Sequence, residues 1–391
     1  MVPFRASAGI LGQKMVTMAA TILLLQQMFI LPNTGHCNKC QIPIESDYKR
    51  NKNYIYWTCN NCKTKTALRS NTVLANSHLK LERFVLLMYC FSDRNRTYKQ
   101  IINEACLPCD PEYKECSMST ETVCKWNKYF TYICCKDYEQ NYEQIGGVNE
   151  IVEIDESMFG KLKYGRGDPT VRRRTWVFGG VDRRTGRSYL RVCPQNKRTK
   201  KALWPIILAH TTPGTMIYSD GWRAYRKLPT LGFQHKWVDH TAGYVHPDDY
   251  TVNTNKIEGL WQKVKQWLPQ SGPYDLEKNL KLFLWFESQK HQGKNPFWSL
   301  VKLVSENNST DILKTAVENT IENEEGHTYD NEEDTTLQDE AHTNEEEEDD
   351  DSGSETEDEE ESTLLYSCPF CMHAYKEKAE VVAHMPECRG K

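Results

Sequence analysis

Three acidic residues carry the chemistry this sequence suggests: Asp155 in "NEIVEIDESMFGKLKYG" (149–165), Asp220 in "MIYSDGW" and Glu258 in "NTNKIEGLWQKVK". The first stretch reads as a strand entering a core through Val152 and Ile154, yet it carries Glu153, Asp155 and Glu156. A buried ionised carboxylate is costly unless something cationic meets it. A salt bridge, a solvated strand end or a metal ion would each answer that cost. Asp220 follows the apolar run Met216–Ile217–Tyr218, and an Asp before Gly221 also suits an ordinary turn. Glu258 borders a stripe of Ile257, Leu260, Trp261, Val264 and Leu268 at helical spacing, and it also reads as an exposed helix acid. Singly, each has a bland explanation. Brought together they would repel one another unless cations intervened, and two divalent ions about 4 Å apart would resolve the repulsion. Such a pair activates a water or a 3′-hydroxyl and stabilises the oxygen leaving phosphorus. Glu153 and Glu156 alternate along the strand and are expected to be solvated or to stand behind the metal ligands.

The cysteines suggest a different metal. Cys37, Cys40, Cys59 and Cys62 form two C-x2-C pairs, and two such knuckles complete a tetrahedron of thiolates around zinc. With all four positions filled by protein, that ion would be structural; disulfides or free thiols are the alternatives. Cys368, Cys371, His384 and Cys388 have the spacing of a small ββα finger with Cys as last ligand. Cys106, Cys109 and Cys116 lack an obvious fourth partner.

These groups need elements to hold them. Strand-like runs fall at 150–156, 174–182 and 187–193, the second and third joined by the hairpin turn "DRRTG". "KKALWPIILAH" reads as a helix, "GTMIYSD" and "HKWVDH" as strands, and "NKIEGLWQKVKQWL" as a helix. The expected order, β-β-β-α-β-α-β-α, is that of RNase H-like folds, where the first and fourth strands are neighbours. Before it, residues 81–145 show three helical patterns, the third with Val123, Trp126, Tyr129, Phe130 and Ile133 in register and Ser119 or Thr120 as cap. They suit either a helix-turn-helix reader or a packing linker. "MVTMAATILLLQQMFILP" is shorter than the about 20 residues a spanning helix needs, so no membrane is expected. It reads as a helix on the first domain, with a signal or transit peptide as the alternative.

Charge is uneven. Residues 322–361 hold 22 of the 54 Asp and Glu and none of the 49 Lys and Arg, so the rest of the chain is basic. A basic body points to a polyanion, or to an ordinary lysine-rich surface. Lys161, Lys163, Arg166, Arg172, Arg173 and Arg174 follow the first strand, and Lys197, Arg198, Lys200 and Lys201 precede Asp220; a DNA path or plain surface charge explains them. Among Trp204, Trp222, Trp237, Trp261 and Trp267, Trp222 is expected to be partly exposed and the others core.

"VEIDES-FG", "YSDGWRAY" and "NTNKIEGLWQKVK" resemble the three blocks of the Merlin superfamily of DDE transposases, related to bacterial ISXO2-like transposases. "YWTCNNCKTKTALRSNTVLANSHLKLERFVLLMY" resembles that family's zinc ribbon and following helix, so the resemblance spans roughly residues 20–290. It implies an α/β fold class: an RNase H-like catalytic domain with a mixed five-stranded sheet. The expected layout is a lead-in with an apolar helix at 1–36, a zinc ribbon at 37–80, and helices with possible DNA contact at 81–147. The catalytic domain follows at 148–310, an acidic disordered linker at 311–362 and a C2HC finger at 363–391. The resemblance implies that Asp155, Asp220 and Glu258 hold two Mg²⁺ (or Mn²⁺) and that Lys265 is the basic residue after the Glu. It implies cleavage and strand transfer on double-stranded DNA, at terminal inverted repeats and a target, by a nuclear homodimer. Asn253 stands where the family usually has His, leaving His240 and His246 as candidate supporting groups. A non-catalytic DNA-binding descendant, or a zinc-finger adaptor working through 322–391, are the other readings.

Overall fold

The computed structural model describes residues 18–44, 48–51, 54–93, 97–105, 118–160, 174–238, 251–268, 275–325, 366–367 and 374–375. Two compact units divide the chain, Met1–Asn323 and Glu324–Lys391.

Five strands form the central sheet: β6 (Ile151–Phe159), β7 (Thr175–Asp182), β8 (Ser188–Val192), β9 (Met216–Asp220) and β10 (Gln234–Val238). Their order is β10-β9-β6-β7-β8. The β6–β7 and β7–β8 pairs are antiparallel, and β6–β9 and β9–β10 are parallel. Three meandering strands followed by two parallel strands added beside the first is the RNase H-like topology, and the expected β6–β9 neighbourhood is present. Asp182 makes the β7–β8 hairpin: its buried carboxylate accepts from the backbone of Arg184 and Thr185, both at 2.8 Å, and Gly186 takes the left-handed φ of 71°. Helix α5 (Lys200–His210) crosses from β8 to β9. No helix separates β9 from β10, contrary to the expected order. Two short 3-10 turns, Arg223–Tyr225 and Leu228–Leu231, stand there, cut short by Pro229 and left-handed Gly232.

Helices α6 (Asn255–Trp267), α7 (Leu276–His291), α8 (Pro296–Glu306) and α9 (Thr310–Glu325) complete this part of the chain. Ahead of the sheet come α1 (Met18–Gln27), the short pair β1 (Gly35–His36) and β2 (Pro43–Ile44), and the meander β3 (Lys49–Asn51), β4 (Tyr54–Thr58) and β5 (Lys65–Ala67). Helices α2 (Leu81–Asp93), α3 (Tyr98–Ala105) and α4 (Thr120–Gln140) follow, with Ser119 capping α4.

One apolar core runs through all of these, from Ile22 to Ala316. Phe84 meets Trp126 edge-on at 4.8 Å, and Phe91 links Phe130 at 5.3 Å to Phe286 of α7 at 6.0 Å. The apolar face of α4 is thus spent on α2, α7 and α8, which is the packing role weighed above. Asn308 donates to Ile30 O at 2.9 Å and accepts from Val73 N at 2.8 Å, joining the end of this unit to its beginning. Among the described residues no helix is long and apolar enough to cross a membrane. In the second unit Tyr366–Ser367 pairs antiparallel with Ala374–Tyr375. Cys368, Cys371, His384 and Cys388 lie outside the described residues, as do Cys106, Cys109 and Cys116.

Candidate active site

Asp155 lies in the middle of β6, directly opposite Gly179 of β7. That glycine has a steric purpose. A Cβ there would stand 2.7 Å from the Trp261 ring, so only a bare backbone lets α6 lie this close to the sheet. Trp261 in turn donates its indole N–H to Asp155 Oδ2 at 2.9 Å. Burial pushes the Asp155 carboxyl up to about 6, against the indole bond, and the negative charges of Asp220 and Glu258 push the same way. The charges of Asp220 and Glu258 thus both reach Asp155.

Asp220 ends β9, and its Oδ1 accepts from Trp222 N at 3.0 Å, fixing the turn that follows. Glu258 sits half-buried in the first turn of α6, within 3.5 Å of Thr254 Oγ1. Lys265, two turns on, places its ammonium 5.5 Å from the Phe159 ring at the end of β6. Arg174 is exposed at the start of β7; Lys161, Lys163, Arg172 and Arg173 lie outside the described residues, with His240 and His246.

Of the two expectations for Glu153, the structure overturns solvation. The residue is neither solvated nor among the ligand candidates but fully buried. Its Oε1 accepts from Arg183 Nε at 2.5 Å, and its Oε2 accepts from Lys256 N at 2.8 Å and Ile257 N at 3.0 Å. A strand carboxylate thus caps the helix that carries Glu258, where free N–H groups and the helix dipole favour negative charge. Arg183 also donates to Thr251 O, Asn253 O and Asn253 Oδ1, each at 2.7 Å, and lies 4.7 Å over the Tyr218 ring. Asn253, the departure from the family pattern, is therefore part of the clasp that sets the start of α6. Glu156 turns to the opposite face. Burial pushes its carboxyl up to about 8, partly offset by Tyr225, whose hydroxyl lies beside it without a hydrogen bond of good geometry.

The second donor set is sulfur. Cys37 and Cys62 Sγ lie 3.3 Å apart, Cys40 and Cys59 3.6 Å, and all four sulfurs fall within 4.8 Å of one another. Thiolates at about 2.3 Å from a tetrahedral zinc have this spacing. Both knuckles close alike, with Gln41 and Lys63 in the left-handed region and donating to Cys37 O and Cys59 O. Among the described residues this is the only group of three or more Cys, His, Asp or Glu compact enough to ring a single ion. Asp155, Asp220 and Glu258 are more widely set than that. Cys90, Cys134, Cys135 and Cys193 are buried in the core.

Sequence reasoning placed Trp237 in the core, but this residue of edge strand β10 is 52% exposed, because the edge leaves that face uncovered; Trp222, at 42%, is exposed as expected. Arg183 and Gly179 were missed as site builders. The glycine pair inside "TWVFGGVD" was the available signal, since a glycine within a strand marks close approach.

The strand order and its connections define an RNase H-like domain. Residues 147–271 match the family described as the ISXO2-like transposase domain. A comparison with curated proteins gives no match. Among solved structures, the chain is similar to the HTLV-2 integrase catalytic core domain in complex with magnesium (trimeric form). The identity is 15% over 40% of this chain and 99% of that one, with a TM-score of 0.25. It is also similar to a simian T-cell lymphotropic virus intasome in complex with PP2A regulatory subunit B56 gamma. There the identity is 12% over 50% of this chain and 63% of that one, with a TM-score of 0.24.

Proposed function

We propose that this protein is a DDE transposase that cuts DNA at transposon ends and joins the freed ends to a target. The observation that carries this reading is the placement of Asp155: a strand carboxyl opposed by a glycine, raised chiefly by its burial and further by the charges of Asp220 and Glu258. Carboxylates so disposed are short of positive charge, and an all-oxygen donor set suits a hard divalent cation such as Mg²⁺ or Mn²⁺. Asp155, Asp220 and Glu258 would hold two such ions between them, more widely set than a donor set that rings a single ion. When bound, such ions supply the charge that activates an attacking oxygen and stabilises the leaving one. The chain's own part is positional. Glu153 and Arg183 fix the start of α6 and so the reach of Glu258. Trp261 orients Asp155, and Lys265 and Arg174 hold phosphates of the duplex. The four thiols of the ribbon hold a structural zinc. A homodimer acting in the nucleus, one active site for each DNA end, is part of the same proposal.

The test is to incubate the full chain with double-stranded DNA carrying the flanking element's terminal inverted repeats, with Mg²⁺ or Mn²⁺, and to map 3′-hydroxyl ends. Wild-type protein is expected to nick at the repeat boundary, and Asp155→Asn, Asp220→Asn and Glu258→Gln to bind the same DNA without cutting it. Cutting by all three variants at the wild-type rate would overturn the assignment.

A further inference from the structure

Beside Asp220 the surface carries an aromatic arrangement that holding metal ions does not require. Arg198 lies with its guanidinium 4.0 Å from the Trp176 ring and 5.0 Å from the Trp222 ring. Trp222 is held in place twice: its indole N–H donates to Arg198 O at 3.2 Å, and its backbone N–H donates to Asp220 Oδ1 at 3.0 Å. The loop under Arg198 is anchored as well. Asn196, in the left-handed region at φ 57°, accepts from Trp176 N at 2.6 Å and donates to Arg174 O at 2.9 Å. Despite these restraints the Trp222 ring remains exposed, and Trp237, also exposed, stands beside Gly221. An indole fixed in place yet left in water is poised to accept a flat partner at little further entropic cost. The charge of the neighbourhood defines that partner. Between Asp182 and Asp239 the sequence has a single acidic residue, Asp220, against twelve Lys and Arg. Flat rings on a polyanionic backbone are what such a surface suits, and within a duplex the flat faces are already stacked.

We propose that Trp222, braced by Arg198 and Trp176 beside Asp220, is a stacking platform for an unpaired base of single-stranded DNA next to the cutting site. The proposal rests on the DNA-cutting reading above and adds to it the form of the substrate: a strand opened at the point of attack. Stacking on an aromatic side chain tolerates any base, so the platform would favour unpaired DNA without choosing its sequence.

The test measures binding of the full chain to a fluorescein-labelled dT12 strand and to a blunt 30-base-pair duplex, at low salt and with no added divalent ion. Trp222→Ala is expected to weaken binding to dT12 about tenfold, with duplex binding changed less than about twofold; Trp222→Phe, which keeps a ring, should stay near wild type on both. An unchanged dT12 affinity in Trp222→Ala overturns the proposal. So does an equal loss on both probes, which would mark the residue as part of a general DNA surface. No cleavage enters this measurement, so a failure of the transposase reading would show in the nicking assay and a failure of the platform here.

Discussion

Asp155 carries a penalty that can be measured without any DNA. In the folded chain its carboxyl holds a proton up to about pH 6, whereas the unfolded chain releases it near 3.8. Between these values the folded state binds more protons, so this group's contribution to stability is full below pH 3.8 and is lost as pH rises through 6. In metal-free protein, Asp155→Asn removes the penalty. Thermal melts are expected to show the variant more stable than wild type by about 1–3 kcal/mol at pH 7.5, with the difference vanishing near pH 4. A variant less stable than wild type at pH 7.5 would mean that burial is not straining this carboxylate. That Asp220 and Glu258 lie near enough for their charges to act on Asp155 was legible in the sequence, because the expected strand order sets the first and fourth strands side by side. The work of Glu153 was not. Alternation along a strand tells which face a residue takes, but not that a helix start from a hundred residues later will be waiting there.

At the scale of elements, the site depends on how closely α6 approaches the sheet. Gly179→Ala would place a methyl 2.7 Å from the Trp261 ring. Overpacking of this kind costs about 1–3 kcal/mol, and it moves the helix that carries Glu258. The expected result is a folded protein that melts lower and, in the nicking assay that tests the proposed function, has lost most of the signal, whereas Val181→Ala, elsewhere on the same strand, should lower the melt while retaining the wild-type signal. Glu153→Ala has a different signature. It strips the cap from α6 and leaves Arg183, only 19% exposed, without its carboxylate. A broken buried pair costs about 3–5 kcal/mol, so denaturant titration should show a loss of that order. Most strands and helices were readable from apolar periodicity, including the third helical pattern with its Ser119 cap. The segment between β9 and β10 was not, since "GWRAYRKLPTLGF" has helical composition until Pro229 and Gly232 interrupt it.

For the whole molecule, the sequence suggests modules in a row, while the structure merges the ribbon, the helices and the sheet around one core. Composition and motif spacing cannot reveal this, because the joining contacts are polar bonds from groups such as the Asn308 amide and the Tyr129 hydroxyl to backbone far away in the chain. Tyr129 donates from its hydroxyl to Asn307 O at 3.0 Å, close to where Asn308 grips both Ile30 and Val73. Zinc removal should therefore not melt the ribbon by itself. Treatment with a strong chelator is expected to lower a single calorimetric transition of the first unit by several degrees. Two separated transitions would show the ribbon to be thermally independent.

The stretch shared with ISXO2-like transposases stops at residue 271, before α7 begins, and starts at 147, after α4 has ended. What is inherited as a block is thus not what stands as a block. A fragment trimmed to those limits would bring the carboxylates and α6 but leave behind α7, which packs against β8. Anyone grafting a new recognition module onto this protein would have to cut outside Ile22 and Ala316, not at the limits of the matched stretch.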